Sequence, residues 1–393
     1  MKDVLDTLKK DVEIPDVVNK KADEAFKKIY AECESGENKK TENIQPKRYH
    51  TKRITVLAAA VVALCAVTAA AAVVRWSHSL SDGLQASEKQ MKQLESNGMN
   101  TFVEQPCTVN GVTVTAVQSI TDNYYTHIAF KVEGFELEGG KEPSFENINV
   151  TVDGEEEFGY TAGFWDGIVD DNEGNPVTLD GERLKIDENG RLIINYVMDD
   201  GSLEYEMILT NDVKEAGYFI GKNIHVELEN LGVYTGKLDH TTKVEGNWVF
   251  DWTLGGADTT RVCEMDYALG DTGATVKRLE ISPISVIAEY DFPRQIVVED
   301  RIEADGTLGT LERYAEPPSV VGVELKDGTV IKYLYGGPGS GGYDGYTGNT
   351  YRSKEAANRI IDPNEIESIL FLKNYTQWED IETPEFIEVP LNK

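Results

Sequence analysis

The chain of 393 residues carries 38 Lys and Arg against 69 Asp and Glu, which gives a formal net charge of −31. This charge argues against a nucleic-acid-binding protein, because neutralising phosphate groups requires a basic surface. With 40% apolar residues the chain is able to bury hydrophobic cores, and its length corresponds to roughly two or three domains.

Residues 1–53 contain one amphipathic helical pattern, and Asp16 is placed to cap its start. The apolar stripe runs from Val18 through Ala22, Ala25 or Phe26, and Ile29 to Cys33. Its predicted partner-binding residues are Val18, Ala22, Phe26 and Ile29. A short segment with so few apolar residues cannot close a core alone, so we expect the stripe to dock on a partner. The neighbouring Asp23 and Glu24 favour a protein partner over the bilayer. A frayed helix without a partner is the alternative.

Residues 54–74 (ITVLAAAVVALCAVTAAAAVV) form a run without charge, Pro or Gly. A helix of this length spans about 30 Å at 1.5 Å per residue, which matches the hydrocarbon core of a bilayer. A buried helix of a soluble protein normally alternates apolar with polar positions. The run therefore predicts a single transmembrane helix.

Basic residues indicate the orientation of this helix. Lys47, Arg48, Lys52 and Arg53 precede the run, whereas only Arg75 follows it closely. By the positive-inside rule residues 1–53 are cytoplasmic, and the C-terminal part is extracellular at the cell membrane. Cleavage as a signal peptide is the competing interpretation, but 53 residues precede the run and the run exceeds the usual apolar region.

The run also divides the charges and the cysteines. Residues 1–53 hold 13 Lys and Arg against 11 Asp and Glu, while residues 75–393 hold 25 against 58. The excess of negative charge is therefore predicted to lie outside the cell. Cys107 and Cys263 both lie on that side, where one disulfide is permitted but not required. The absence of any CxxC motif argues against zinc-ribbon and thioredoxin-like chemistry.

Residues 75–100 are predicted to form a stalk with one short helix over residues 87–96, ended by Asn97 and Gly98. Because this segment has few apolar residues to protect its backbone, we expect proteases to cut first between Ser77 and Phe102.

From Thr108 onward, alternating apolar and polar residues predict β-strands, and Asn-Gly or Asp-Gly pairs predict the turns between them. Without alternating helices this pattern is typical of antiparallel β-sandwiches. We place one sandwich at residues 101–256 and a second at residues 257–393. The turns are predicted at residues 110–111, 153–154, 189–190, 200–201 and 327–328, with one helical turn starting at 362–363. Strands further along are predicted at 192–198, 205–209, 223–228, 248–254, 277–281, 285–290, 320–325, 329–335 and 369–372.

The stretches SEKQMKQLESNG and CTVNGVTVTAVQSITDNYYTHIAFKVEGF, after a cytoplasmic amphipathic segment and one Ala/Val-rich anchor, resemble domain of unknown function 4179 of Gram-positive bacteria. The later stretches KRLEISPISVIAEYDF and VELKDGTVIKYLY resemble its C-terminal immunoglobulin-like partner domain. The resemblance implies two exported immunoglobulin-like β-sandwiches on one transmembrane helix. Members resemble membrane-bound anti-sigma factors in topology, which implies a sigma factor as the cytoplasmic partner. The family has no established catalytic residues to carry over, and no His-xxx-Cys-xx-Cys zinc motif is present.

Motifs of enzymes are missing from the sequence. HExxH, GxSxG and GxxxxGK[ST] do not occur, so we predict no catalytic residues, no metal and no cofactor. His127 and His225 are expected to be surface or packed residues. The acidic segment at residues 170–175 departs from the calcium-loop order, so an ordinary turn is favoured over a calcium site.

Residues 337–342 match GxGxxG formally, but no helix is expected to follow them. A mobile loop with Tyr343, Tyr346 and Tyr351 is the better interpretation, and glycan stacking on its rings is an open alternative.

Two functional hypotheses remain open. The first is a single-pass, anti-sigma-factor-like regulator with an exported sensor or binding region. The second is a cell-surface binding or structural module without a signalling role. An enzyme is disfavoured, because no nucleophile, base and orienting group occur in a recognisable pattern. The extracellular ligand is not specified by the sequence.

Overall fold

The structure is a computed structural model that describes residues 76–187, 192–211, 215–234, 239–302, 308–373 and 384–391. The predicted cytoplasmic helix and the apolar run at residues 54–74 lie outside these residues. Across the described ranges, no helix has both the length and the apolar character needed to cross a membrane. The described chain is mainly β, as expected, and its sheets are antiparallel.

Two helices open the described chain, α1 (His78–Ser81) and α2 (Glu88–Ser96). Ser87 caps α2, and its side chain and that of Gln90 form a reciprocal capping box. The helix ends where Gly98 adopts φ 78° and the Met99 N–H donates to the Leu94 carbonyl at 3.0 Å. The predicted helix over residues 87–96 is confirmed.

The first lobe, which we define as residues 100–254, contains ten strands in the ranges that the structure describes. They are β1 (Asn100–Val109), β2 (Val112–Thr121), β3 (Tyr125–Glu133), β4 (Glu142–Val152), β5 (Gly159–Phe164), β6 (Ile168–Asp170), β7 (Pro176–Thr178), β8 (Leu203–Thr210), β9 (Asn223–Tyr234) and β10 (His240–Thr253). One sheet has the order β1-β2-β3-β8-β5 and a second has the order β10-β9-β4, while β6 and β7 form a separate hairpin.

Side chains from both large sheets of the first lobe share one hydrophobic core. Phe130 from β3 lies 5.3 Å from the ring of Phe250 on β10, and Phe145 from β4 lies 5.0 Å from that of Tyr205 on β8. Trp248 is fully buried and donates its indole N–H to the Val112 carbonyl at 3.2 Å. The alternation seen in the sequence thus directs one face of each sheet to a common interior.

The second lobe, residues 261–391, contains eleven strands among its described residues. They are β11 (Arg261–Ala268), β12 (Thr275–Ile281), β13 (Ser285–Asp291), β14 (Ile296–Ile302), β15 (Leu308–Tyr314), β16 (Ser319–Leu325), β17 (Val330–Ile331), β18 (Tyr335–Tyr343), β19 (Thr350–Ala357), β20 (Ile366–Leu372) and β21 (Phe386–Pro390). The sheet orders are β11-β12-β13-β19-β18 and β17-β16-β20-β21, with β14 and β15 as a hairpin. A second hydrophobic core lies among these strands.

The two lobes repeat one topology. In chain order β1, β2, β3, β4, β5, β8, β9 and β10 correspond to β11, β12, β13, β16, β18, β19, β20 and β21, with the same pairings in the same sheets. The hairpins β6–β7 and β14–β15 and the strand β17 are additions to this plan. The sequence predicts two sandwiches, but their strand-by-strand correspondence is not readable from it, because the repeat has no short period.

Several predicted turns are confirmed. Asn110 and Gly111 both adopt positive φ, 48° and 84°, between β1 and β2, as a tight hairpin requires. Gly328, at φ 84°, turns the chain between β16 and β17. Pro363–Glu365 forms a single 3-10 turn that Asp362 caps. The predicted turn at residues 189–190 lies outside the described residues.

Three predictions of local structure are wrong. Residues 192–198 make only isolated bridges, from Leu192 to Ile186 and from Val197 to Leu203 at the start of β8, because the pairing extends no further at either place among the described residues. The strand expected at residues 329–335 is cut to β17, because the chain then crosses to the other sheet as β18. The Gly-rich segment is no loop, since β18 pairs with β19 from Tyr335 to Tyr343.

Residues 76–99 do not form an exposed stalk, although few apolar residues suggested one. Their apolar side chains join both lobes in a third buried cluster, which we call the interlobe cluster. It contains Leu80, Leu84, Leu94 and Met99, then Ile120, Tyr124, Tyr125 and Ala129 of the first lobe, and Ile284, Ile287, Ala356 and Ile360 of the second lobe. The expectation of an unprotected segment is therefore wrong, because the apolar partners come from both lobes.

Candidate functional site

The start of α1 is held by side chains of the first lobe. The Ser77 N–H donates to the Gln118 side-chain oxygen on β2 at 2.8 Å. The N–H groups of His78 and Ser79 donate to the two carboxylate oxygens of Glu204 on β8, at 2.8 and 2.6 Å. Glu204 is only 4% exposed, so these charge-assisted bonds lie away from water. The chain is thus fixed to the first lobe from Ser77 onward.

Two equivalent turns meet where the lobes touch. Asp122 precedes β3 and accepts the N–H groups of Tyr124 and Tyr125 at 2.8 and 2.7 Å, and Ser282 occupies the same place before β13. The hydroxyls of Ser282 and Ser285 both donate to the Asp122 carboxylate, the latter at 2.6 Å. One buried carboxylate therefore orders its own turn and binds the turn of the other lobe.

Further polar contacts surround this turn pair. The Tyr124 hydroxyl donates to Glu280 at 3.2 Å, and burial together with the Glu280 charge raises the pKa of Tyr124 to about 12. The Lys354 ammonium of the second lobe donates to the Asn211 carbonyl of the first at 2.5 Å. It also lies 5.1 Å from the centre of the Tyr124 ring.

The acidic segment at residues 170–175, which we call the acidic turn, is a second link between the lobes. The Asp171 carboxylate accepts the N–H of Asn175 at 2.9 Å and that of Glu173 at 2.8 Å, and these bonds hold the pKa of Asp171 below its usual value. Gly174 adopts φ 80°, and a Cβ there would lie within 3 Å of the Tyr333 ring. Both the turn geometry and this close approach require glycine.

Arg359 and Lys332 of the second lobe bind the acidic turn directly. Arg359 donates to the Asp170 carbonyl at 2.6 Å and to the Asn172 side-chain oxygen at 2.8 Å. Lys332 pairs with Glu173 at 2.5 Å, and its backbone N–H donates to the Asn172 carbonyl. The Asp170 carbonyl, the Asn172 side-chain oxygen and the Glu173 carboxylate thus bind these two residues, while the Asp171 carboxylate binds N–H groups of the turn itself.

The histidines considered in the sequence sit in side-chain pairs. His127 is buried on β3, with Nδ1 2.9 Å from Glu206. His225 lies between Asp251 and Glu227; burial lowers its pKa, but hydrogen bonds to both carboxylates outweigh this and raise it. Within the described ranges, no group of three or more His, Cys, Asp or Glu side chains is placed to hold a metal.

A cleft of about 350 Å³ opens in the second lobe beside the edge strand β18. We call it the tyrosine cleft. Its lining includes Tyr290, Tyr335, Tyr351, Glu316, Glu355 and Gly339. Burial raises the pKa of Glu355 to about 8, and the nearby charge of Glu316 adds to this.

The tyrosines predicted for a mobile loop occupy different environments. Tyr351 is buried and its ring lies 5.1 Å from that of Tyr343. Tyr343 is covered by the Arg294 guanidinium at 4.3 Å, whereas Tyr346 is fully exposed at the turn between β18 and β19. Of these three rings, that of Tyr346 is therefore the one fully exposed for stacking.

The corresponding strands of the first lobe place different side chains at the position of the tyrosine cleft. Tyr125 pairs with Thr210 and the equivalent Ser285 pairs with Ala356, which sets the alignment of β8 with β19. By this alignment the pair Tyr160 and Leu209 corresponds to Gly339 and Glu355. In the same way, the pair Phe164 and Tyr205 corresponds to Tyr343 and Tyr351.

Sequence reasoning missed Glu355, Glu204 and Asp122. No sequence motif marks Asp122 or Glu204, and Glu355 occupies an ordinary polar position in the alternating pattern of a strand. The predicted partner-binding residues Val18, Ala22, Phe26 and Ile29 lie outside the described residues. Cys107 and Cys263 are free thiols, so they form no disulfide in this structure.

Comparisons with known proteins add one likeness. No family model matches the chain, and no curated protein matches it. Among solved structures, the chain is similar to a conserved domain protein from Bacillus anthracis with 13% identity and a TM-score of 0.39. The likeness covers 76% of this chain and 94% of that one.

Proposed function

We propose that the chain is a single-pass membrane regulator in which two exported immunoglobulin-like β-sandwiches act as a sensor and residues 1–53 bind a cytoplasmic partner. The sequence supports this with the uncharged run at residues 54–74 and its basic N-terminal flank. The resemblance to domain of unknown function 4179 makes a sigma factor the expected partner of Val18, Ala22, Phe26 and Ile29. No catalytic role is proposed.

One observation carries the proposal: the side chains of Gln118 and Glu204 accept hydrogen bonds from the backbone N–H groups of residues 77–79. These residues follow the end of the apolar run after only a few positions. A module that is merely displayed on a membrane needs no more than a flexible linker there. A chain that is bonded into the folded part from Ser77 onward is able to transmit a displacement of that part instead.

The contact between the lobes sets their relative orientation, which a ligand is able to change. The interlobe cluster contains side chains of residues 80–99 as well as of both lobes, so a change in lobe orientation would alter the packing of this segment. The polar contacts of Asp122, Lys354 and Arg359 define the present orientation. A ligand that binds one orientation better would shift the population toward it.

The test uses the full-length chain in its host under envelope stress, with transcription measured across the genome. Deleting residues 1–34 is expected to change the transcriptional response. Glu204→Ala, which releases the backbone of residues 78–79, is expected to alter the response at unchanged surface level. Glu133→Ala is the matched control, because Glu133 makes only an exposed pair with Lys131.

The competing function is a cell-surface binding or structural module without signalling. Unchanged transcription after deletion of residues 1–34, with normal surface display, would favour that module and refute the regulator.

A further inference from the structure

The two lobes carry different side chains at the aligned pair of positions beside the tyrosine cleft. In the first lobe Leu209 on β8 is fully buried opposite Tyr160. In the second lobe the equivalent pair is Glu355 and Gly339, and a Cβ added to Gly339 would lie 2.0 Å from the Glu355 carboxylate. The aliphatic side chain is thus replaced by a carboxyl group, and the partly exposed Tyr160 ring by a glycine over which that carboxylate lies. The tyrosine cleft lies beside this carboxylate.

Two polar groups of the tyrosine cleft lack partners within the part of the chain that the structure describes. The Tyr335 hydroxyl is completely buried and makes no hydrogen bond. The partly buried Glu355 carboxyl has no hydrogen bond or ion pair to any described residue. Buried polar groups in proteins are nearly always bonded, and leaving one without a partner costs about 1–3 kcal/mol. Such groups in a cleft are expected to meet a ligand.

The charge of the cleft indicates the kind of ligand. Glu316 and Glu355 are both acidic, and the one cation paired with them in the described chain is Arg313, 3.6 Å from Glu316. Aromatic rings add a negative electrostatic face toward a cation. The rings that line the cleft are those of Tyr290, Tyr335 and Tyr351.

We propose that the tyrosine cleft binds a primary ammonium group, with Glu355 as its ion-pair partner and the Tyr335 hydroxyl as a hydrogen-bond acceptor. The group belongs either to a lysine side chain or to an amino sugar, and both carry the same charge and donors. The three N–H donors of the ammonium match the carboxylate and the hydroxyl. Once Glu355 is ionised, the positive charge also offsets the repulsion between its carboxylate and that of Glu316.

Protons are expected to be released on binding. Because burial raises the pKa of Glu355 to about 8, this carboxyl is largely protonated near pH 7 in the free protein. An ammonium ion beside it favours the ionised form, so the proton leaves when the ligand binds. The ionisable groups around Glu355 are Glu316, Arg313, Tyr290, Tyr335 and Tyr351.

The test is calorimetric titration of the full-length chain in detergent at pH 7 with two probes, blocked Nα-acetyl-lysine N-methylamide and glucosamine. Binding of either probe supports the site, and the preferred probe identifies the source of the ammonium group. Their Nε-acetylated and N-acetylated counterparts keep the shape but lose the charge. We expect these counterparts to bind at least about tenfold more weakly. The heat of binding is expected to differ between buffers of different ionisation enthalpy, since a proton is released.

Variants assign the binding to the cleft. Glu355→Gln is expected to weaken binding at least about tenfold, and Tyr335→Phe by about threefold to tenfold. Glu388→Gln makes the same substitution at an exposed position of β21 and is expected to bind normally. Glu355→Leu restores the residue of the first lobe and is a second variant in case Glu355→Gln folds poorly. Far-UV circular dichroism and thermal unfolding check folding of each variant.

This inference gives the sensor of the proposed function its ligand class and rests on that function only for its biological purpose. Equal binding of the neutral counterparts, undiminished binding by Glu355→Gln and Glu355→Leu, or no binding of either probe at about 10 mM would overturn it. Because binding is measured on purified protein and regulation in cells, failure of the site and failure of the regulator are distinguishable.

Discussion

The Ser285 hydroxyl donates a 2.6 Å hydrogen bond to the carboxylate of Asp122, and the two residues belong to equivalent turns of the two lobes. The same carboxylate accepts the N–H groups of Tyr124 and Tyr125 and the hydroxyl of Ser282. The two lobes share one topology, but their contact is not symmetric, since the first lobe supplies the acceptor and the second supplies the hydroxyl donors. A substitution of Asp122 therefore removes several hydrogen bonds of the interlobe contact at once.

Asp122→Ala is expected to lower the free energy of unfolding by about 3 kcal/mol or more, because it leaves two backbone N–H groups and two hydroxyls without their charged acceptor. Urea denaturation followed by tryptophan fluorescence measures the loss. Asp327→Ala is the control, since Asp327 caps only an exposed turn through the Thr329 N–H. Its cost is expected to stay near 1 kcal/mol. Equal losses in the two variants would show that the Asp122 contacts add little.

Glu204→Ala is expected to free the backbone of residues 77–86 while both lobes remain folded. The amides of His78 and Ser79 should exchange slowly in the parent protein and at least about tenfold faster in the variant, by hydrogen exchange with mass spectrometry. Limited proteolysis of the parent should spare residues 77–102. Rapid cleavage there in the parent protein would contradict the packed arrangement.

The stability of the parent protein is expected to depend on pH through Glu355. Its pKa is raised from 4.5 to about 8, so the folded state holds the proton at pH values where the unfolded state has lost it. This contribution to stability is therefore greatest below pH 4.5 and is lost as the pH rises to 8. Glu355→Leu has no carboxyl group to titrate at this position. The free energy of unfolding of the variant, relative to that of the parent, should therefore rise by on the order of 2–4 kcal/mol between pH 5 and pH 8. A constant difference across that range, measured by denaturation, would show that Glu355 titrates normally.

Arg359→Ala is expected to detach the acidic turn from the second lobe, because it removes the bonds to Asp170, Asp171 and Asn172. Hydrogen exchange at residues 170–175 should rise, and the free energy of unfolding should fall by about 2–3 kcal/mol. Arg278→Ala is the control, since Arg278 makes surface ion pairs that contribute about 1 kcal/mol or less. If calcium alone restored protection of the turn in Arg359→Ala, the turn would be a cation site after all.

Thiol labelling tests the membrane topology that the sequence predicts. Single-cysteine variants that keep only Cys33 or only Cys107 are treated on intact cells with a membrane-impermeant reagent, after the part predicted to be extracellular has been denatured. Cys107 is expected to react and Cys33 to remain protected. The reverse pattern would place residues 1–53 outside the cell and remove the basis for a cytoplasmic partner.

Local features of the fold followed from local sequence. Asn110 and Gly111 predicted the first hairpin, Ser87 and Gly98 bounded α2, and Asp362 marked the 3-10 turn, because each depends on the conformational preference of a few adjacent residues. Strand continuity was less predictable. Residues 192–198 alternate well, but a strand also needs a neighbour, and the sequence does not state which segment lies beside which.

The sequence by itself determined the separation of charge around the run at residues 54–74, the predominance of β-structure and the positions of most turns, since composition and short-range periodicity carry that information. Only the tertiary structure decided that Leu80 and Leu94 are buried, that the acidic turn binds Arg359, and that Glu355 faces a cleft. Each of these depends on partners that lie far away in the chain and come close only when the two lobes pack together. A polar or sparsely apolar segment is therefore exposed or buried according to what the rest of the fold places against it.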